Sequence, residues 1–233
     1  AKSLYVVARP SRLRFDVISP LGGVLSTLTS DGERFAYYDL RQRLFLEGRA
    51  DECNVEQALR VPVPPEALGA LLTGQAPILV HQPAQARLSW EDGSYVLRID
   101  SEYQADELVR LSPREEDWER PWQEQRLRVT AVRVSQQSLV LYEVALSEHR
   151  QAHSAPPRVD PDGIEPDLPP SGPACDAELP RRLRFQIPGA GRDIVFQQSE
   201  VVHNPPLTPD LFRQQPSAGV HIRHSNCGLE GAP

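Results

Sequence analysis

The chain has 233 residues, with 32 acidic against 25 basic side chains and a formal net charge of −7. The two signs are mixed along its length without the basic stripe of a nucleic-acid binder, and no run of about 18 apolar residues offers a membrane-spanning helix. Proline, at 23 residues, is about twice its usual share of roughly 5%, and much of it falls in one segment, 150–178.

Between residues 9 and 32, Leu13, Phe15 and Val17 alternate with Arg12, Arg14 and Asp16. This period of two predicts a strand with one buried and one wet face. Strands are predicted over 4–9, 11–19, 23–30, 33–39 and 42–48. Their separators are Arg9-Pro10, Pro20 to Gly23, Ser30-Asp31-Gly32 and Asp39 to Gln42, which are turn-forming stretches. The pattern then changes. Asn54 is placed to cap a short helix through Leu59, and Pro65 opens a second helix over 65–73 that Gly74 ends. Leu68, Leu71 and Leu72 form one stripe on it. Two short helices interrupting a strand meander suit a cap over a curved sheet.

Strands resume over 86–91 and 94–100, with Asp92-Gly93 as a hairpin turn, and again over 106–111, 125–134 and 138–147. Residues 150–178, rich in Pro, Asp, Ser and Gly, bury too little apolar area to offset their ordering entropy and read as an extended, mobile insertion. Strands follow over 183–187, 193–203 and 219–224, with a single helical turn at Asp210-Leu211-Phe212. Strands at hairpin spacing without helical crossovers exclude a parallel α/β sheet. The expectation is a mainly β fold: a single strongly curved antiparallel sheet forming an unclosed β-barrel with two short capping helices. Residues 1–149 and 179–224 make one half-barrel domain, 150–178 the insertion, and 225–233 a C-terminal tail.

Candidate chemistry is sparse. No nucleophile elbow, Walker loop or dinucleotide loop occurs, so no enzyme and no cofactor is expected. His149 and His153 lack the glutamate of a metalloprotease helix and read as loop histidines. His221 and His224, three apart on a strand, point to opposite faces, so they and Cys227 do not make a metal site. Glu115-Glu116-Asp117 reads as a solvated loop. Trp118 and Trp122 suit either the rim of a cavity or a packed core beneath a loop. Cys53, Cys175 and Cys227 match no zinc template. In an oxidising compartment Cys175, just before a strand, and Cys227, just after one, are the candidate disulfide pair, and three inert structural thiols are the alternative. A strand beginning at Leu4 predicts further residues upstream, where a signal peptide or a lipid-attachment cysteine would lie.

Taken in order, Val7-Ala8-Arg9-Pro10-Ser11-Arg12-Leu13-Arg14-Phe15, Ser19-Pro20-Leu21-Gly22, Ser30-Asp31-Gly32, Val61 to Pro65 with Leu68, Leu71, Leu72 and Gly74, and Leu211-Phe212 with Gly219-Val220 resemble the LolA/LolB superfamily of lipoprotein-sorting proteins of the Gram-negative envelope, closer to the LolB-like outer-membrane lipoproteins. The resemblance implies an apolar cavity that holds acyl chains of lipoproteins or lipids without chemistry. The implied function is a periplasmic or outer-membrane carrier, or lipoprotein chaperone, anchored through a lipidated cysteine ahead of residue 1. Arg9, Leu13, Phe15, Val17, Leu68, Leu71, Leu72, Trp118 and Trp122 are the candidates for cavity or cap, with Arg9 hydrogen-bonding towards the cap as a latch. The alternative is an envelope lipoprotein of the same fold that acts as an interaction module, with envelope protein partners and no cargo. The chain departs from the family in its 150–178 insertion and in the tight Ser30-Asp31-Gly32 turn, which has no apolar tip.

Overall fold

A computed structural model describes residues 2–162, 167–174 and 176–225. Among them the strands are β1 (Lys2–Ala8), β2 (Arg12–Ile18), β3 (Val24–Ser30), β4 (Arg34–Asp39), β5 (Leu44–Arg49), β6 (Ala86–Glu91), β7 (Ser94–Asp100), β8 (Ala105–Pro113), β9 (Leu127–Gln136), β10 (Leu139–Ser147), β11 (Arg150–Gln151), β12 (His153–Ser154), β13 (Glu178–Leu179), β14 (Arg182–Ile187), β15 (Arg192–Gln197), β16 (Val202–His203) and β17 (His221–Ser225). Two helices, α1 (Glu52–Leu59) and α2 (Pro65–Leu72), separate β5 from β6. No helix of the described residues is long and apolar enough to cross a membrane.

The fold is mainly β with two short helices, but the single curled sheet expected from the meander is not formed. The strands divide into a six-stranded sheet, β1-β2-β3-β4-β5-β17, and a seven-stranded sheet, β15-β14-β10-β9-β8-β7-β6. The physical reason lies at β5. Its free edge is taken by the C-terminal β17, paired in parallel as His221↔Leu44 through Ser225↔Gly48, and not by β6. The chain separates into two compact units. One holds residues 1–69, 158–169 and 206–233; the other holds 70–157 and 170–205.

In the first unit, one face of the sheet gathers Leu13, Phe15, Leu28 and Phe35, all buried, and Tyr5 stacks on Phe15 at 5.1 Å. Gly69 of α2 lies against Val7 on that side, where an added Cβ would sit 3.1 Å from the valine. The opposite face is polar yet covered. The segment after the helical turn at Pro209–Phe212 crosses it, with the Gln214 amide donating to Thr27 O, Thr29 Oγ1 and Ala36 O at 3.1–3.2 Å. Arg14 donates to Leu211 O and to Asp16, which in turn accepts from Thr27, and Arg12 lies over the buried Phe212 ring at 5.3 Å. The cap of α1 is Asp51 and not Asn54. Asp51 Oδ1 accepts the Asn54 N–H, and the Asn54 side chain is spent on Arg49 O.

In the second unit β6 to β10 form an uninterrupted antiparallel meander, extended by β14 and β15. Val109, Val132, Val144 and Phe185 follow one another across it in register and are buried. The opposite face carries the ion pairs Arg98–Glu91, Arg133–Glu143 and Arg184–Asp193. The described part of 150–178 is tied to its flanks and to itself by backbone hydrogen bonds. β11 pairs with β13, β12 runs parallel to β16, and Ala152 is buried with its N–H on Ala177 O; in the stretch 158–169, which belongs to the first unit, Arg158 and Leu168 exchange two backbone hydrogen bonds of 2.9 Å. The segment borrows hydrogen bonds from its flanks, which compensates for its poverty in core side chains. The predicted strand 193–203 breaks after Gln197, and Val202-His203 serves β12 instead.

Candidate functional site

An exposed aromatic surface of the second unit is built on the β6–β7 hairpin. Asp92 and Gly93 form its two-residue turn with φ of +49° and +76°, the left-handed pair that matches strand twist. This register sets Trp90 opposite Tyr95, ring centroids 4.7 Å apart and edge to face. Trp118, from the loop between β8 and β9, meets the other side of Trp90 at 6.1 Å and 80°. Trp90, Trp118 and Trp122 remain 51%, 47% and 65% exposed, and they are all the tryptophans of the chain. Leu88, two residues before Trp90 on the same face of β6, is 58% exposed.

The loop that presents Trp118 is fastened by buried charge. Glu115-Glu116-Asp117, expected to be solvated, instead turns Asp117 fully inward. Its carboxylate accepts from the Arg126 backbone N–H at 3.1 Å, from Arg126 Nε at 2.7 Å and from Arg120 at 3.1 Å. The Arg126 guanidinium hydrogen bonds hold its pKa down, from the ordinary 3.8 to about 2. A chain of pairs continues through Arg126–Asp176, Asp176–Arg114, Arg114–Glu178 and Glu178–Arg128. Gln125 completes the support: its amide donates to Arg120 O, and its carbonyl accepts from Tyr95 O–H at 2.8 Å. The result is a preorganised aromatic corner, with Trp90 between Tyr95 and Trp118 on a loop tied down by Asp117 and Gln125. Its chemistry is recognition, for which Trp and Tyr supply large contact area at low entropic cost.

Trp118 and Trp122 are thus surface residues and not core beneath a loop. Leu13, Phe15, Leu68, Leu71 and Leu72 retain at most 2% of their surface. They are buried core residues. Val17 is half-buried on β2. Arg9 is exposed at the β1–β2 turn and, among the described residues, makes no hydrogen bond or ion pair, so the expected latch towards the cap is not formed. Cys53 is disulfide-bonded. The expected Cys175–Cys227 pair lies outside the described residues. His149 is half-buried and donates to Val129 O, with desolvation lowering its pKa. His224 contacts Glu47 at 3.1 Å, and Cys227 lies outside the described residues.

Sequence reasoning missed three residues. Trp90 carried a signal, an aromatic residue two places before an Asp-Gly turn with Tyr95 two places after it. Glu107 carried another, a carboxylate in the apolar phase of Val109 and Leu111. It is buried between Ile99 and Val134, accepts the Leu79 N–H at 2.9 Å through Oε2, and leaves Oε1 unpartnered, so desolvation raises its pKa to about 7. Leu21 stands at the β2–β3 hairpin tip, 98% exposed, and is the apolar protrusion that Ser30-Asp31-Gly32 does not offer. No family model matches the chain, and no curated protein matches it.

Proposed function

We propose that the protein is a non-catalytic interaction module of the cell envelope that docks a protein partner through the surface built on Trp90 and Trp118, with Trp122 exposed on the same loop as Trp118. The observation that carries this reading is an exposed aromatic corner held rigid by the Asp117–Arg126 and Tyr95–Gln125 hydrogen bonds. Large aromatics left in water at a cost in free energy, on a scaffold ordered beforehand, are the makings of an interface hot spot. The burial of Leu13, Phe15 and Leu68 supports a role without cargo. The Cys53 disulfide supports an oxidising compartment such as the periplasm. Site-specific photocrosslinking tests the reading: a benzophenone side chain replacing Trp122, irradiated in producing cells, is expected to yield an adduct with another polypeptide that Trp118→Ser removes. Absence of any such adduct contradicts it.

A LolB-like lipid or lipoprotein carrier is the second reading, favoured by the Leu21 protrusion, a side chain suited to entering a lipid surface. It requires α2 to lift from the apolar face of the six-stranded sheet, because Leu13, Phe15 and Leu68 are packed. Stoichiometric binding of an acylated peptide in native mass spectrometry would support the carrier and overturn the module.

A further inference from the structure

We infer that β6 is a self-pairing edge, and that a second copy of this chain adds antiparallel to it in the register Ser89↔Ser89, Leu88↔Trp90 and Arg87↔Glu91. The inference deepens the reading of the aromatic corner as a docking face and rests on it. Three independent features of the strand point to the same register.

The first is backbone direction. β6 ends the seven-stranded sheet. The two-residue Asp92-Gly93 turn makes Glu91 and Ser94 a hydrogen-bonded pair, so Ser89–Val96 and Arg87–Arg98 are bonded pairs as well. The N–H and C=O groups of Leu88 and Trp90 therefore point away from β7, at an open edge of the kind that templates strand addition. In this register Leu88 and the partner's Trp90 exchange both backbone hydrogen bonds, as do Trp90 and the partner's Leu88.

The second is charge. Arg87 lies directly opposite Arg98, and like charges in that position are unfavourable. Arg98 is already clamped by both oxygens of Glu91, at 2.6 and 2.8 Å. The two-fold register brings the partner's Glu91 beside Arg87 on the same face, and the reciprocal pair forms by symmetry. Shifting by one hydrogen-bonded step in either direction loses this match, so charge selects one register among those the backbone allows. The third is apolar area. Leu88 and Trp90, both more than half exposed, share the other face and meet the partner's Trp90 and Leu88 across the strand pair.

Sedimentation velocity over micromolar to sub-millimolar concentration tests this, with circular dichroism confirming that each variant is folded. The wild-type chain is expected to show a reversible monomer–dimer equilibrium. Arg87→Glu and Glu91→Arg should each raise the dissociation constant at least tenfold. The double exchange Arg87→Glu/Glu91→Arg should restore it, because the carboxylate then at position 87 would face both Arg98 and the guanidinium at position 91 of the second copy. Leu88→Lys, which leaves those charges in place, should also give monomer. A wild-type chain that stays monomeric throughout, single variants that dimerise as wild type does, or a folded double exchange that fails to recover dimer would each overturn the inference. Failure here with Trp122 adducts to a different polypeptide intact would leave the docking face standing and remove only the second copy as its occupant.

Discussion

The Asp117 carboxylate accepts the Arg126 backbone N–H and Nε at 3.1 and 2.7 Å from a position closed to solvent, one residue before the exposed Trp118. A loop that shows an indole to water is thus anchored by a charge taken out of it. Because the folded-state pKa is depressed, from 3.8 to about 2, the ionised carboxylate stabilises the fold above about pH 4. That contribution fades as pH falls towards 2. Tryptophan emission reports this loop and the adjoining hairpin alone, since the chain has no other tryptophans. We expect a red shift on acidification towards pH 2. Asp117→Asn should show an altered spectrum at neutral pH and a Tm lowered by several degrees, because Arg126 then keeps its charge without its main partner.

Glu107 has the opposite sign. Its folded-state pKa, raised by burial from 4.5 to about 7, favours the fold fully below about pH 4.5, and this stabilisation is lost as pH rises through 7. Glu107→Gln keeps an acceptor for the Leu79 N–H and carries no charge. Thermal melts at pH 8 should therefore show the variant more stable than wild type, by about 1–3 kcal/mol, and melts near pH 4.5 should bring the two together. Equal stabilities at pH 8 would contradict a desolvated carboxyl at this position.

Cys53 is disulfide-bonded, and the chain has three cysteines. Thiol titration of the denatured, unreduced protein should therefore find one free group. Peptide mapping should join Cys53 to Cys175 or Cys227. Reduction or Cys53→Ser should cost about 2–4 kcal/mol of stability.

Gly48 meets Ser225 where β17 closes the edge of the six-stranded sheet. An alanine there would put its Cβ 2.5 Å from Ser225 O and 3.1 Å from Asn54 Nδ2. Both neighbours are held in place, one as strand backbone and one by its bond to Arg49 O. Gly48→Ala should loosen β17, seen as faster amide exchange over 221–225, with an overall loss of about 1–3 kcal/mol.

Local features of this chain were readable because their causes are local. Alternation located most strands to within two residues, and β6 and β7 were placed residue for residue on either side of Asp92-Gly93. The α1 cap was misplaced because Asp51 and Asn54 are both capping residues three apart, and which one serves depends on the tie of Asn54 to Arg49 O. The partition into two sheets was not readable. Nothing in the alternation of β5 tells whether its edge is taken by β6 or by the distant C-terminal strand. The corner was half-readable: Trp118 announced itself, but its neighbour Trp90 joins it only through the fold of the β8–β9 loop. The apolar alternation of Leu13 and Phe15 is the same for a packed core and for a cavity wall, so periodicity alone does not separate carrier from module.

Native mass spectrometry of the purified chain, with and without a lipoprotein-derived acylated peptide, tests the central claim most directly. An interaction module without cargo should give the mass of the polypeptide and of its dimer, with no lipid retained at either stage. A stoichiometric acyl complex, carried through purification or formed on addition, would contradict it and restore the carrier.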